Sequence, residues 1–366
     1  MEHSKINMRQ LFVLIVLFEH GSAIVIPLGA SAKQDAWIAI LLSLVLGLLL
    51  ILVYERLFHY YPDQPLTSYV THIVGKPLGK VLAVLYITYF FHITARVLRD
   101  FGELLLTFAY PETPLFVLNA LMAMTVMYGA YKGIEVLART GELLYTLLHI
   151  LAVVGFLLVI ASGVVDLTQI QPVLEEGWKR VWKTVFTETL YVPFGEMIVF
   201  TMLFPYLNRP EKARRAAVAG MVLTGINLAI IMVVNTAVLG AAVSRSSFPL
   251  LDTIRRIRVA HFLERLDVFF MVALVIEGFF KVSIFFYAGI VGVAHVFGFS
   301  NHQRLVYAFG VLVLLWSVAM ASNYWEHIHE GLKIVTFYLH IPMQIIIPVL
   351  LLVIAAIRRR FGQSAK

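Results

Sequence analysis

The stretch His20–Ala30, "HGSAIVIPLGA", decides how this chain is read. It follows the apolar run "LFVLIVLF" at 11–18, where a first membrane helix would be expected to continue. Instead it brings two glycines, a serine and Pro27, with Glu19 and His20 just ahead. Pro removes an amide donor and resists a helix interior, and Gly lets backbone approach a neighbour closely. A helix interrupted at membrane depth leaves N–H and C=O groups that must face protein, water or a ligand.

The rest of the chain is membrane-like. Of 366 residues, 60% are hydrophobic and 14% charged, where soluble domains carry about 25% charged residues. The runs 36–54, 143–165, 216–244, 305–325 and 334–357 contain no Asp, Glu, Lys or Arg. About 20 apolar residues span a bilayer as a helix. The chain reads as an all-α polytopic membrane protein, a single transmembrane domain over 1–366. Ten spans are expected, at 9–31, 36–55, 80–109, 114–131, 143–164, 184–206, 216–243, 264–296, 303–322 and 335–357.

Lys and Arg concentrate at the N-terminus and in alternate loops near 56–80, 132–142, 207–215, 297–304 and 358–366. The positive-inside rule then puts both termini in the cytoplasm. The loop 244–260 dissents, with Arg245, Arg255, Arg256 and Arg258 on the outer side. Its Leu250, Leu251, Ile254 and Ile257 have helical spacing, so it reads as an amphipathic helix on the protein or at the interface. "GIEVLARTGELL" at 133–144 reads as a second such piece on the inner side. No small-residue cleavage site follows 11–18, so no cleavable signal peptide is expected.

Cut near residue 175, ten spans make two sets of five, 9–164 and 184–357. Each set opens on an interrupted helix, the second being "TETLYVPFGEMIVF" at 187–200. An odd number of spans per set inverts the second repeat. Such a pair of Gly/Pro interruptions in corresponding positions points to a transporter binding site. Gly21, Ser22 and Ala23, with Pro27 and Gly29, form the first break. Pro193, Phe194, Gly195 and Glu196 form the second. Amides at half-helix ends suit a carboxylate. Gly and Pro also serve membrane helices as packing devices, so either break alone admits that reading.

Charges inside spans are the second signal, because they are costly there. Arg96, Arg99, Asp100 and Glu103 share one face of the third span, with i,i+4 steps from Arg96 to Asp100 and from Arg99 to Glu103. They read either as a self-neutralising ion-pair ladder or as a hydrated pathway or gate, with Glu103 as a ligand or proton contact. Glu277 and Lys281 make a further i,i+4 pair in the eighth span. Glu19 and Glu188 read as helix-end residues that snorkel, and the "HIH" at 327–329 as surface histidines. With no cysteine and no metal-ligand spacing, no metal or cofactor is expected. No nucleotide loop or catalytic triad supports an enzyme, and the net charge of +7 suits membrane loops, with no nucleic acid expected.

"GSAIVIPLG" (21–29) is similar to the "GSG(I/V)F" element in the unwound first helix of amino acid–polyamine–organocation transporters, with alanine for the second glycine. "PFGE" (193–196) is similar to their Phe-x-Gly-x-Glu element, compressed by a residue or two. Nearly the whole chain further resembles the spore germination permeases, the B subunits of nutrient germinant receptors. The resemblance rests on "YPDQPLTSYVTHIVGKPLGK", "VLRDFGELLLTFAYPETPLFVLNALM", "YKGIEVLARTGELL" and "VPFGEMIVFTMLFPYLNRPEKARRA". It implies a LeuT-like 5+5 inverted repeat in the inner spore membrane, sensing a small nutrient such as an amino acid. The ligand would lie between broken helices one and six and helices three and eight. Gly21, Ser22 and Ala23 would meet its carboxylate, with Phe194, Gly195 and Glu196 opposite and Glu103 nearby. An A-type subunit and a lipoprotein C-type subunit would be partners. A proton- or sodium-coupled amino acid permease is the alternative.

Overall fold

The computed structural model describes residues 5–257 and 266–363. Among these the secondary structure is helical. The helices are α1 (Met8–Ala23), α2 (Ala36–Tyr60), α3 (Leu66–Val74), α4 (Lys76–Phe108), α5 (Leu115–Lys132), α6 (Ile134–Ala161) and α7 (Gly177–Thr184). They continue as α8 (Ala213–Leu239), α9 (Pro249–Arg255), α10 (Leu266–Phe297), α11 (Gln303–Ala319), α12 (Tyr324–Glu330) and α13 (Ile347–Gln363). Two further pieces matter below: a tight 3₁₀ run, Phe194–Met202, and a wide π-helical run, Gly331–Ile346.

Seven of the helical stretches are long and apolar enough to cross a membrane. They match the second, third, fourth, fifth, seventh, eighth and tenth of the ten expected spans. The other three are not continuous long helices: α1 has 16 residues and α11 has 17, and residues 177–206 are divided among short pieces. The first and sixth of these are the two segments that carry Gly and Pro.

α1 is set by its N-cap. Asn7 Oδ1 accepts from the Gln10 amide at 2.9 Å, and Gln10 Oε1 accepts from the Asn7 amide at 2.9 Å, a reciprocal capping box. Just before it, the Ile6 amide donates to Tyr206 O and the Asn208 amide to Ile6 O, both at 2.9 Å. The chain start is thereby tied to the end of the sixth segment. From Leu11 to Ala23 all but Phe12 are buried. A helix apolar around its circumference belongs in a core, and α1 packs against α6, α8 and α10.

α4 and α10 form the most extensive helix pair, and α2 runs along α8. Small residues make the α4–α10 contact close: a Cβ on Gly278 would fall 2.2 Å from the Phe101 ring, and one on Gly289 2.6 Å from Phe91. Such residues let membrane helices approach where no hydrophobic force drives them together.

Two interfacial pieces resolve differently. Residues 133–144 are not a separate amphipathic helix; they form the first turns of the 28-residue α6. Within the 244–260 loop, Pro249–Arg255 is helical and lies on the protein, with Leu251, Ile254 and Ile257 buried against α8 and α10; Arg258 lies outside the described residues. Arg255 sits over the Phe108 ring at 4.3 Å, which gives this arginine a local partner.

Candidate functional site

The interruption in the first segment comes one turn later than expected. Gly21, Ser22 and Ala23 are still helical, and the chain turns at 24–29. The Ile24 amide donates to His20 O, and the Val25 and Ile26 amides both donate to Ser22 O. A helix C-terminus presents carbonyls, not amides, so in this conformation the 21–23 amides belong to the helix and do not form a carboxylate nest. Gly29, at φ 73°, then redirects the chain towards α2.

The second break has its own closure. Pro193 precedes the 3₁₀ run, the Gly195 amide donates to Leu190 O at 2.9 Å, and the Glu196 amide to Tyr191 O at 3.2 Å. A Cβ on Gly195 would lie 2.0 Å from Gln344 Oε1. Gln344 in turn donates to Tyr89 Oη at 2.8 Å, and Tyr54 Oη donates to Gln344 O at 2.5 Å. Gly195→Ala is therefore expected to displace Gln344 and cost about 1–3 kcal/mol by overpacking, measured as a fall in unfolding free energy in detergent. An unchanged stability would show that the π-helical run yields freely.

Between the two breaks lies a cavity of about 70 Å³. Of the expected residues it gathers Ser22, Pro27, Gly29, Arg96, Asp100 and Glu196. Others are placed elsewhere. Phe194 is fully buried against α2, where a Cβ on Gly47 would come within 2.5 Å of its Cβ. Gly21 faces Lys281, Gly195 faces Gln344, and Ala23 closes α1. Glu103 pairs with Arg99 at 3.1 Å, as the sequence spacing suggested, and does not line the cavity.

The remaining expected pairs are rearranged. Lys281 Nζ lies 2.5 Å from Glu196 Oε2, with both side chains buried, and Glu277, one turn away, is only half-buried. A Cβ on Gly21 would be 2.8 Å from Lys281 Cβ and Cδ, so the glycine is the channel through which lysine crosses α1. The ammonium also stands 5.0 Å from the Phe18 ring, a favourable cation–π placement.

Arg96 and Asp100 likewise share a partner rather than each other. Asp100 Oδ1 is 2.9 Å from His327 Nε2, and Arg96 Nη2 donates to His327 O at 2.5 Å. His327 is fully buried and not a surface histidine, since α12 begins eleven residues before the expected tenth span at 335. Arg99 donates to the Ser317 and Val318 carbonyls at 3.3 and 3.0 Å, joining α4 to the end of α11. Glu19 and Glu188 are buried as well, and Glu188 lines the cavity. Neither snorkels.

Thus the α12–π segment closes the site, contributing Ile328, Gly331, Thr336 and His340. A Cβ at Gly331 would meet Arg96 Nη2 at 2.3 Å, so a side chain there would push the guanidinium from its place beside His327 O. The signal available in sequence was Asn323 three residues before Glu326: its side chain accepts from the Glu326 amide and starts the helix.

Comparison with known proteins fits this arrangement. The chain is 43% identical to Spore germination protein KB of Bacillus subtilis (strain 168), over 100% of this chain and 98% of that protein. It is 27% identical to Spore germination protein YndE of the same organism, over 98% of both. Among solved structures, MhsT in complex with L-phenylalanine superposes with a TM-score of 0.70 at 14% identity, covering 96% of this chain and 89% of that one. The nucleobase-cation-symport-1 family transporter Mhp1 gives 0.68 at 12% identity, covering 90% and 75%. The fold is that of these transporters. Residues 5–325 match the family described as Spore germination protein, and the chain belongs to that family of integral membrane proteins.

Proposed function

We propose that this protein is the nutrient-sensing membrane subunit of a spore germinant receptor. Its ligand is a small amino acid or similar zwitterion, held where the breaks after α1 and before Phe194 face α4 and the α12–π segment. The observation that carries the reading is the cavity's lining, which sets Arg96 and the Ser22 hydroxyl beside Asp100, Glu188 and Glu196. Groups of both signs around one small space suit a ligand with both charges. Arg96 and Ser22 take the carboxylate in this reading, and Glu196 with Asp100 takes the amine. Gly21, Ala23 and Gly195 stand behind the lining, the two glycines leaving room for Lys281 and Gln344. MhsT, a solved structure of the same fold, holds L-phenylalanine.

In this reading the subunit passes between a ligand-free and a ligand-bound state. Sensing needs only that the ligand prefers one of the two states. In this reading 9–164 and 184–357 are inverted five-helix repeats, both termini are cytoplasmic, and the protein sits in the inner spore membrane. It works there with an A-type subunit and a lipoprotein C-type subunit.

Deleting the gene in a strain without other germinant receptors is expected to abolish nutrient-triggered germination while leaving radiolabelled amino acid uptake by growing cells unchanged. Lost uptake with intact germination would make the protein a coupled amino acid permease instead.

A further inference from the structure

Glu19 has no part in the site described above, yet it is an acidic group enclosed in the core. Its side chain is wholly buried, and neither oxygen has a hydrogen-bond partner. An ionised carboxylate so placed is strongly unfavourable unless a cation answers it. The groups that act on it are few. α10 presents Lys281, the 194–202 run presents Glu196, and α8 presents only the Thr224 hydroxyl. α6, the other helix against α1, carries His149, which acts on His20 instead. His20 is itself engaged, its Nδ1 3.0 Å from Val16 O. Asp100, from α4, acts on Glu196 from the cavity side.

Two carboxyl groups therefore share one ammonium, and Glu196 holds it at 2.5 Å. One further positive charge is needed for neutrality, and a proton is the only cation a fully enclosed carboxylate can take without added ligands. The geometry points to Glu19 as a proton-binding site: it carries a proton while Lys281 is held by Glu196, and releases that proton when Lys281 turns to it. The exchange balances. The Glu19 carboxylic acid gives its proton to water and becomes a carboxylate, and the Lys281 ammonium passes from Glu196 to Glu19. The Glu196 carboxylate is then free for the ammonium of a ligand. Lys281 lies in the groove left by Gly21, its ammonium 5.0 Å from the Phe18 ring and 2.5 Å from Glu196 Oε2, and its charge acts on Glu19 as well. The proton site stands on the buried charges alone; its link to an amine at Glu196 rests on the proposed function.

The test is infrared spectroscopy of the purified full chain in lipid nanodiscs near neutral pH, in H₂O and in D₂O, without ligand. A protonated-carboxyl C=O band that shifts in D₂O is expected in the wild type and is reduced or lost in Glu19→Gln. No band in the wild type, or an undiminished band in Glu19→Gln, overturns the assignment. Should Glu19→Gln fail to accumulate, Lys281→Met decides: with the ammonium gone a second carboxyl must take a proton and the band grows, whereas an unchanged band contradicts the shared-charge centre. The link to ligand is read separately, from spores given a complete amino acid mixture in a strain with this receptor alone. Glu19→Gln, present at normal level in the membrane, is expected to lose the response, since it can release no proton. A wild-type response overturns that link and leaves the infrared result standing.

Discussion

Lys281→Met is expected to lower the stability of the purified protein by about 3–5 kcal/mol, the usual cost of removing one partner from a buried ion pair. The effect is large because both carboxyl groups beside Lys281 are enclosed. Glu196 is 2% exposed and Glu19 fully buried, so bulk solvent screens neither charge when the ammonium goes. Around the ammonium the wall is aromatic: Phe18, Phe200 and Phe285 form a ring cluster, with the Phe200 and Phe285 centroids 5.1 and 5.0 Å from that of Phe18. The double variant Lys281→Met/Glu196→Gln is expected to recover much of the loss, because replacing both members of a buried pair with neutral groups is often close to neutral. Chemical unfolding in detergent measures both. If the single variant is as stable as the parent, the pair is not the cation's main partner and the centre is wrongly drawn.

The second large effect is expected at Gly21. A leucine there places its Cβ 2.8 Å from Lys281 Cβ and Cδ, a separation that real Cβ atoms do not adopt. These are the root of the lysine side chain, so no rotation of its end relieves the contact. α1 cannot retreat either, because α6, α8 and α10 surround it. Lys281 must therefore leave Glu196, or α10 must separate from α1, and either outcome disturbs the wall that Glu196 and Ser22 give the cavity. Gly21→Leu spores are expected to need at least about tenfold more nutrient for half-maximal germination, the scale of one misplaced group in a binding pocket. Gly21→Ala is expected to show the same direction and a smaller size. A response equal to wild type would leave the break as a packing device.

The sequence made the class of the molecule legible, and the reasons are local. The uncharged runs 36–54, 143–165, 216–244 and 334–357 marked four of the seven long helices, and Gly–Pro interruptions marked two of the three segments that fail to form them. Arg99 and Glu103 were paired correctly because both lie on α4, four residues apart. What could not be read depended on which helices meet. Glu196 and Lys281 are 85 residues apart, and only the packing of α1 against α10 reveals that Lys281 passes Gly21 to reach Glu196. His327 looked like a loop residue because the polar "NYWEHIHE" hides a helix start, and its burial comes from Arg96 and Asp100 on another helix. The position of the first break was misjudged by one turn for a similar reason. Gly21 and Ser22 are poor helix formers in isolation, but in α1 the surrounding helices hold them in register to Ala23.

A nutrient held between the two breaks must feel the size of Ile93. Ile93 is buried, lines the cavity from α4 and carries no charge, so changing its size alters the space without touching the ion pairs. The measurement is the germinant dose–response of spores carrying Ile93→Ala or Ile93→Phe, at matched protein levels, against a panel of amino acids. The half-saturating concentration is expected to shift about tenfold or more, with Ile93→Ala favouring larger amino acids and Ile93→Phe rejecting all but the smallest. Dose–response curves that overlay the wild type for both variants would contradict this placement of the nutrient.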